Sequence, residues 1–281
     1  MGVNILVTGR GSSGSWQIRG AQLGKAIGAH VEANVNSVKG FDVAVIVKRP
    51  RLDLLERLRQ RGIPIIWDIV DAWPQPHGNL WSRGECVDWL QKEVNTIKPQ
   101  ALVAATQAMA DDCKSFGLPV LPLPHHARPG QPLNPIRPSV LKVGYEGGLQ
   151  YIGGWTPVLE KECGKRGWGL SLNPQELASV DIVLAVRDQK GYAARHWKSG
   201  VKLANAQGSG TPCVLGRERG YMEGASGAEQ WADSPEELIA AFDALQAQEC
   251  RKEISSRLEA AAPSLSGVAT RYKRWIETLS F

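Results

Sequence analysis

Short apolar runs and amphipathic stretches alternate along this chain. Residues 4–8, 42–47, 64–68, 101–104 and 120–123 are brief runs rich in β-branched and other apolar side chains, with a weaker run at 30–35. Such runs predict buried strands. Between them, residues 16–27, 51–61, 86–97 and 108–115 place apolar side chains at helical spacing. Strand and helix in alternation predict a doubly wound parallel sheet.

The pattern then breaks and restarts. Pro122, Pro124, Pro129, Pro132, Pro135 and Pro138 predict a stiff extended connection and a domain boundary. Beyond it, 140–145, 169–172, 181–186, 212–215 and 229–231 read as strands. Residues 156–166, 201–208 and 234–246 read as helices, the last opened by a Ser234/Glu237 capping box. The expected organisation is an N-terminal Rossmann-like domain over 1–134, a second over 135–265, and a helix over 266–281 that packs back on the first. No period of 20–50 residues recurs, which excludes solenoids.

Composition narrows the class. A length of 281 residues with 43% hydrophobic content suits two domains. No apolar run reaches the roughly 18 residues of a membrane span, and no basic leader opens the chain, so a cytoplasmic protein is expected. Five scattered cysteines without a Cys-x-x-Cys argue for a reducing compartment and against a disulfide frame or zinc site. No Asp-x-Asp occurs, so no metal cofactor is expected. The net charge of +5 is uneven, with Lys48, Arg49, Arg51, Arg57, Arg59 and Arg61 inside 14 residues. That run suits either an anionic partner or a solvated helix face.

The densest chemistry lies at residues 198–212, Lys-Ser-Gly-Val-Lys-Leu-Ala-Asn-Ala-Gln-Gly-Ser-Gly-Thr-Pro. Lys202 and Asn205 share one face of the 201–208 helix. A cation in the first turn joins the helix N-terminus in attracting an anion such as a diphosphate. The pattern Lys-x-x-Asn-Ala-x-x-x-Gly-Thr-Pro resembles the donor segment of GT-B glycosyltransferases, Lys-x-x-Glu-x-x-x-x-Gly-x-Pro. The resemblance implies two Rossmann-like domains facing across a cleft, with a nucleotide-sugar donor held mainly by the second. It implies Lys202 on the donor diphosphate. Asn205 stands where the family carries a ribose-binding Glu, and Trp197 where a second Glu is common.

Other residues are read beside it. The loop holding Gly11, Ser12 and Ser13 follows a strand and opens a helix, so its N–H groups suit a phosphate or sugar hydroxyl. Arg187 closes the 181–186 strand and is expected to clamp the diphosphate with Lys202. Glu223 is a candidate for the missing ribose carboxylate. Asp71, then Asp68, end a strand at the carboxyl edge, where α/β folds bind ligands, and either would serve as general base or cap the next turn. His77, a side-chain type poised near neutral pH, and His126, at the hinge where a ring can face the cleft, are alternatives. Arg19, Trp73 and Trp81 are assigned to the acceptor, the indoles for stacking.

The function expected is metal-independent transfer of a sugar from a nucleotide sugar to a hydroxyl acceptor. Acceptor candidates are hydroxymethylated pyrimidine in DNA or a glycan. Alternatives are a non-catalytic nucleotide- or sugar-binding protein and an NAD(P)-dependent oxidoreductase. The latter is suggested by Val-Thr-Gly at 7–9, but no tyrosine is followed by lysine at the fourth position. The nucleotide, the sugar and inversion versus retention stay open.

Overall fold

A computed structural model describes residues 3–73, 80–188 and 190–280. The chain divides into two compact units. One comprises Met1–His125, Gly191–Ser199 and Leu265–Phe281; the other comprises His126–Lys190 and Gly200–Ser264.

The first unit carries a six-stranded sheet of β1 (Ile5–Gly9), β2 (His30–Val31), β3 (Val43–Val47), β4 (Ile65–Val70), β5 (Ala101–Ala104) and β6 (Val120–Pro122). Their order is β2-β1-β3-β4-β5-β6, every pair parallel. β1, β3, β4 and β5 are buried along their whole length, as continuous apolar strands must be when helices cover both faces. The helix Leu265–Thr278 buries Val268, Ala269, Tyr272 and Ile276 in the cluster that holds Ile5, Val43 and Ile66.

The second unit carries β7 (Lys142–Tyr145), β8 (Gly169–Leu172), β9 (Ile182–Ala185), β10 (Cys213–Leu215) and β11 (Gln230–Trp231). The order is β11-β10-β9-β7-β8, again all parallel. The α/β class with two parallel sheets is therefore as the alternation predicts.

Three local departures have physical causes. The first helix opens as a π-helix over Trp16–Gln22 before becoming α-helical. The Trp16 indole presses on Gly20, where a Cβ would come within 2.3 Å of its Cε3. The proline-rich run belongs to the second unit from His126 onward and is strapped down there. Asn134 Nδ2 donates to the Val180 carbonyl at 2.7 Å, and Arg137 pairs with Asp181 at 2.9 Å. Buried Arg251, on the helix Gln248–Ala261 that the apolar pattern does not predict, donates to the carbonyls of Arg137 and Pro138. Finally, residues 191–199 return to the first unit, with Trp197 fully buried in its core and its Nε1 donating to Asp112 at 2.7 Å. Trp197 is thus a core anchor. No helix among the described residues is long and apolar enough to cross a membrane.

Candidate functional site

In the second unit, chemistry gathers at the carboxyl edge of the sheet, where open α/β folds place ligands. β7 ends at Tyr145 and runs into Glu146, Gly147 and Gly148. Lys202 sits in the first turn of the helix Val201–Ser209, and its ammonium lies 4.3 Å from the centroid of the buried Tyr145 ring. Gly147 has φ +140, and a Cβ there would stand 2.9 Å from Lys202 Nζ. The positive φ calls for glycine at this point, and the missing Cβ leaves the ammonium its place.

Arg187, just past β9, is committed within the unit. Its Nη1 donates to Glu218 at 2.8 Å and its Nη2 to the Tyr221 hydroxyl at 2.7 Å. The planar fork expected to grip a diphosphate bidentately is therefore occupied on both prongs. Asn205 is also committed: its Oδ1 accepts from the Arg128 N–H at 3.1 Å and its Nδ2 donates to Glu146 Oε2 at 3.2 Å. Glu146 Oε1 accepts from Arg128 Nη2. Glu223 is exposed, just after the short helix Arg219–Met222.

In the first unit, the expected base and acceptor residues separate into buried and accessible groups. Asp68 and Arg19 are wholly buried, paired at 3.5 Å, and Arg19 Nη2 also donates to the Leu123 carbonyl at 2.6 Å. Burial pushes the Asp68 carboxyl up, and Arg19 pulls it partly back. Both belong to the core, which corrects their assignment to base and acceptor contact. Trp73 is likewise corrected. It is buried in the core with its ring edge-on to Trp197 at 6.1 Å, unavailable for stacking on a ligand. Trp81 is half-buried, and its carbonyl accepts from the Tyr192 N–H at 3.2 Å.

Asp71 remains at the surface of this edge, 19% exposed, with Lys48 Nζ at 2.5 Å and Lys198 Nζ at 3.7 Å. Lys48 reaches Ser15 Oγ at 3.3 Å, and Lys198 lies over the Trp73 ring at 5.3 Å. Lys48 itself, at φ +69, and Val70, directly before Asp71, at φ +52, are left-handed. A β-branched residue in that region is strained, and such strain concentrates where geometry is functionally constrained. Gly11 is also left-handed, at φ +88; Ser12 and Ser13 are exposed, with Ser13 Oγ accepting from the Trp16 N–H at 3.2 Å. His126 belongs to the second unit, is buried, and its Nδ1–H donates to the Ala127 carbonyl at 2.8 Å. His77 lies outside the described residues.

The basic run is largely engaged inside the chain. Arg49 donates to the Trp73 carbonyl at 3.1 Å. Arg51 and Arg57 pair with Asp53. Arg59 holds the carbonyls of Thr96 and Ile97 at the end of the helix Arg83–Ile97. The sequence reading missed Lys48, Lys198 and Glu146 as members of these clusters. A charged residue directly after a strand was the available signal for Lys48 and Glu146.

No family model and no curated protein sequence matches the chain. Solved structures do. The Anabaena protein HepE in complex with UDP and glucose is similar over 99% of this chain and 100% of its own, with a TM-score of 0.67 and 12% identity. Sucrose-phosphate synthase from Thermosynechococcus elongatus is similar over 98% of each chain, at TM-score 0.63 and 10% identity. A glycosyltransferase from Rickettsia africae covers 99% of this chain with 100% of its own, at TM-score 0.62 and 10% identity. At such identities the likeness concerns architecture, and the architecture is the GT-B fold of glycosyltransferases.

Proposed function

We propose that this protein is a glycosyltransferase that moves a sugar from a nucleotide-sugar donor to a hydroxyl acceptor without a metal cofactor. The observation that carries this reading is Lys202. Its ammonium is held over Tyr145 at the carboxyl edge of the second sheet, beside a glycine whose missing side chain leaves it room. A fixed cation there stabilises the charge that grows on the departing diphosphate. That neighbours of the same fold were solved with UDP supports a nucleotide donor.

Of the two aspartates expected at the end of β4, Asp71 is the one that stays partly exposed, and it takes the proton of the acceptor hydroxyl. Lys48 and Lys198 fix its position. The acceptor is better read as a glycan than as hydroxymethylated DNA, because the arginines of the basic run bind chain carbonyls and Asp53. Five free cysteines support a reducing compartment.

The test is a thermal-shift panel of UDP, GDP, ADP and CMP, followed by sugar release or transfer from the matching nucleotide sugars. At least one nucleotide should raise the melting temperature by mass action. Binding by none of the four, with no turnover, would overturn the reading.

A further inference from the structure

Glu146 is the acid that stands closest along the chain to the turn beside Lys202. It follows β7 directly and precedes Gly147, whose Cβ position is 2.9 Å from the Lys202 ammonium. Its carboxylate is oriented from two sides. Arg128 Nη2 bonds Oε1, and Asn205 Nδ2 bonds Oε2 at 3.2 Å. Asn205 is itself oriented, because its Oδ1 accepts from the Arg128 backbone N–H at 3.1 Å, which turns the amide nitrogen toward Glu146. An ionised carboxylate has about four acceptor positions, and these bonds use one on each oxygen. The Glu146 side chain is 19% exposed, so the pair of remaining positions is not sealed in the core.

A carboxylate one residue from the glycine that borders the Lys202 ammonium, and bonded to Asn205 on the same helix, repels phosphate oxygens and selects hydrogen-bond donors. Two adjacent acceptor positions match a vicinal diol. In a nucleotide, the ribose diol lies close along the covalent chain to the diphosphate. We infer that Glu146, held by Arg128 and Asn205, binds the ribose hydroxyls of the nucleotide and makes the site select ribonucleotides over deoxyribonucleotides. This rests on the nucleotide-sugar reading above. It assigns to Asn205 a positioning role, acting through Glu146, and to exposed Glu223 none in ribose binding.

The experiment is calorimetric titration of wild type, Glu146→Gln and Glu146→Ala with UDP, GDP and ADP, each beside its 2′-deoxy form. For the nucleotide that wild type binds best, the ribose form should bind about 10- to 100-fold more tightly, the range of one charge-assisted hydrogen bond. In both variants the preference should fall to within about threefold, while the 2′-deoxy affinity changes little. Melting curves establish that each variant is folded, and the isosteric Glu146→Gln keeps the test available if Glu146→Ala unfolds. A ribose preference that survives in Glu146→Gln would overturn the assignment, as would a wild type without any preference. Absence of binding by every nucleotide is a different failure, since it removes the glycosyltransferase reading itself.

Discussion

Arg19 and Asp68 form a charge pair at 3.5 Å between two side chains that water does not reach. The pair ties the first helix of the first unit to the middle of its sheet, and Arg19 extends the tie to the Leu123 carbonyl. Removing one partner leaves a buried uncompensated charge, at a cost of about 3–5 kcal/mol. Arg19→Ala and Asp68→Ala should each lower the unfolding free energy by that amount in urea melts. The double variant Arg19→Met/Asp68→Leu should lose less than either single. If Asp68→Asn folds yet abolishes turnover per folded molecule, Asp68 belongs to the chemistry after all.

Lys202→Ala should lower kcat/KM by about 30- to 150-fold, equivalent to roughly 2–3 kcal/mol of lost charge-assisted contact. Folding should be kept, because the Lys202 head rests on an aromatic face in the first turn of its helix. Tyr145→Leu should weaken nucleotide diphosphate binding by a smaller factor, on the order of the 0.5–2 kcal/mol of a cation–π contact. Initial-rate kinetics and calorimetry on both variants check these values. Wild-type turnover in Lys202→Ala would move the donor site elsewhere.

Strand positions were legible because a strand covered on both faces leaves a continuous apolar run, as in Val43–Val47 and Ile65–Val70. Lys202 was legible because helix spacing and a Gly-Thr-Pro stop fix its place. Charged side chains were the opposite case. Asp68 sits inside an apolar strand, and no pattern tells a buried acid paired with a distant Arg19 from one that ends at a ligand edge. The same holds for Trp73 and Trp197, which meet edge-on across more than a hundred residues of sequence. The helix Gln248–Ala261 escaped because Arg251 occupies a core position that a hydrophobic template marks as polar.

Tyr192 donates to Asp112 Oδ2 at 2.9 Å, and its hydroxyl is pushed up to about 12, by burial first and by the Asp112 hydrogen bond second. A group whose folded value is raised contributes stability that is complete below its unfolded value and lost as pH rises through the folded one. Wild type should therefore lose stability between about pH 10, the ordinary tyrosine value, and about 12. Tyr192→Phe should show a shallower decline over the same window. Chemical melts at several alkaline pH values, with tyrosinate absorbance followed in parallel, check this. Identical slopes in the two proteins would remove Tyr192 from the alkaline transition.

The basic run Lys48–Arg61 separates a structural role from an acceptor role most sharply. Arg59 binds the last carbonyls of the helix Arg83–Ile97, where a cation also complements the helix dipole. Arg49 and Arg57 bind the carbonyls of Trp73 and Val35. Each such bond is worth about 1 kcal/mol. The triple variant Arg49→Gln/Arg57→Gln/Arg59→Gln should therefore lose a few kcal/mol of unfolding free energy in urea. Association with a duplex DNA oligonucleotide, followed by anisotropy across a salt series, should keep its slope to within about one phosphate contact. Phosphate-binding arginines would behave the other way, with near-native stability and a slope flattened by about three contacts. That second outcome would return hydroxymethylated DNA to the front as acceptor. The first is the outcome that the proposed glycan acceptor predicts, with Asp71, held by Lys48 and Lys198, as the proposed contact to its hydroxyl.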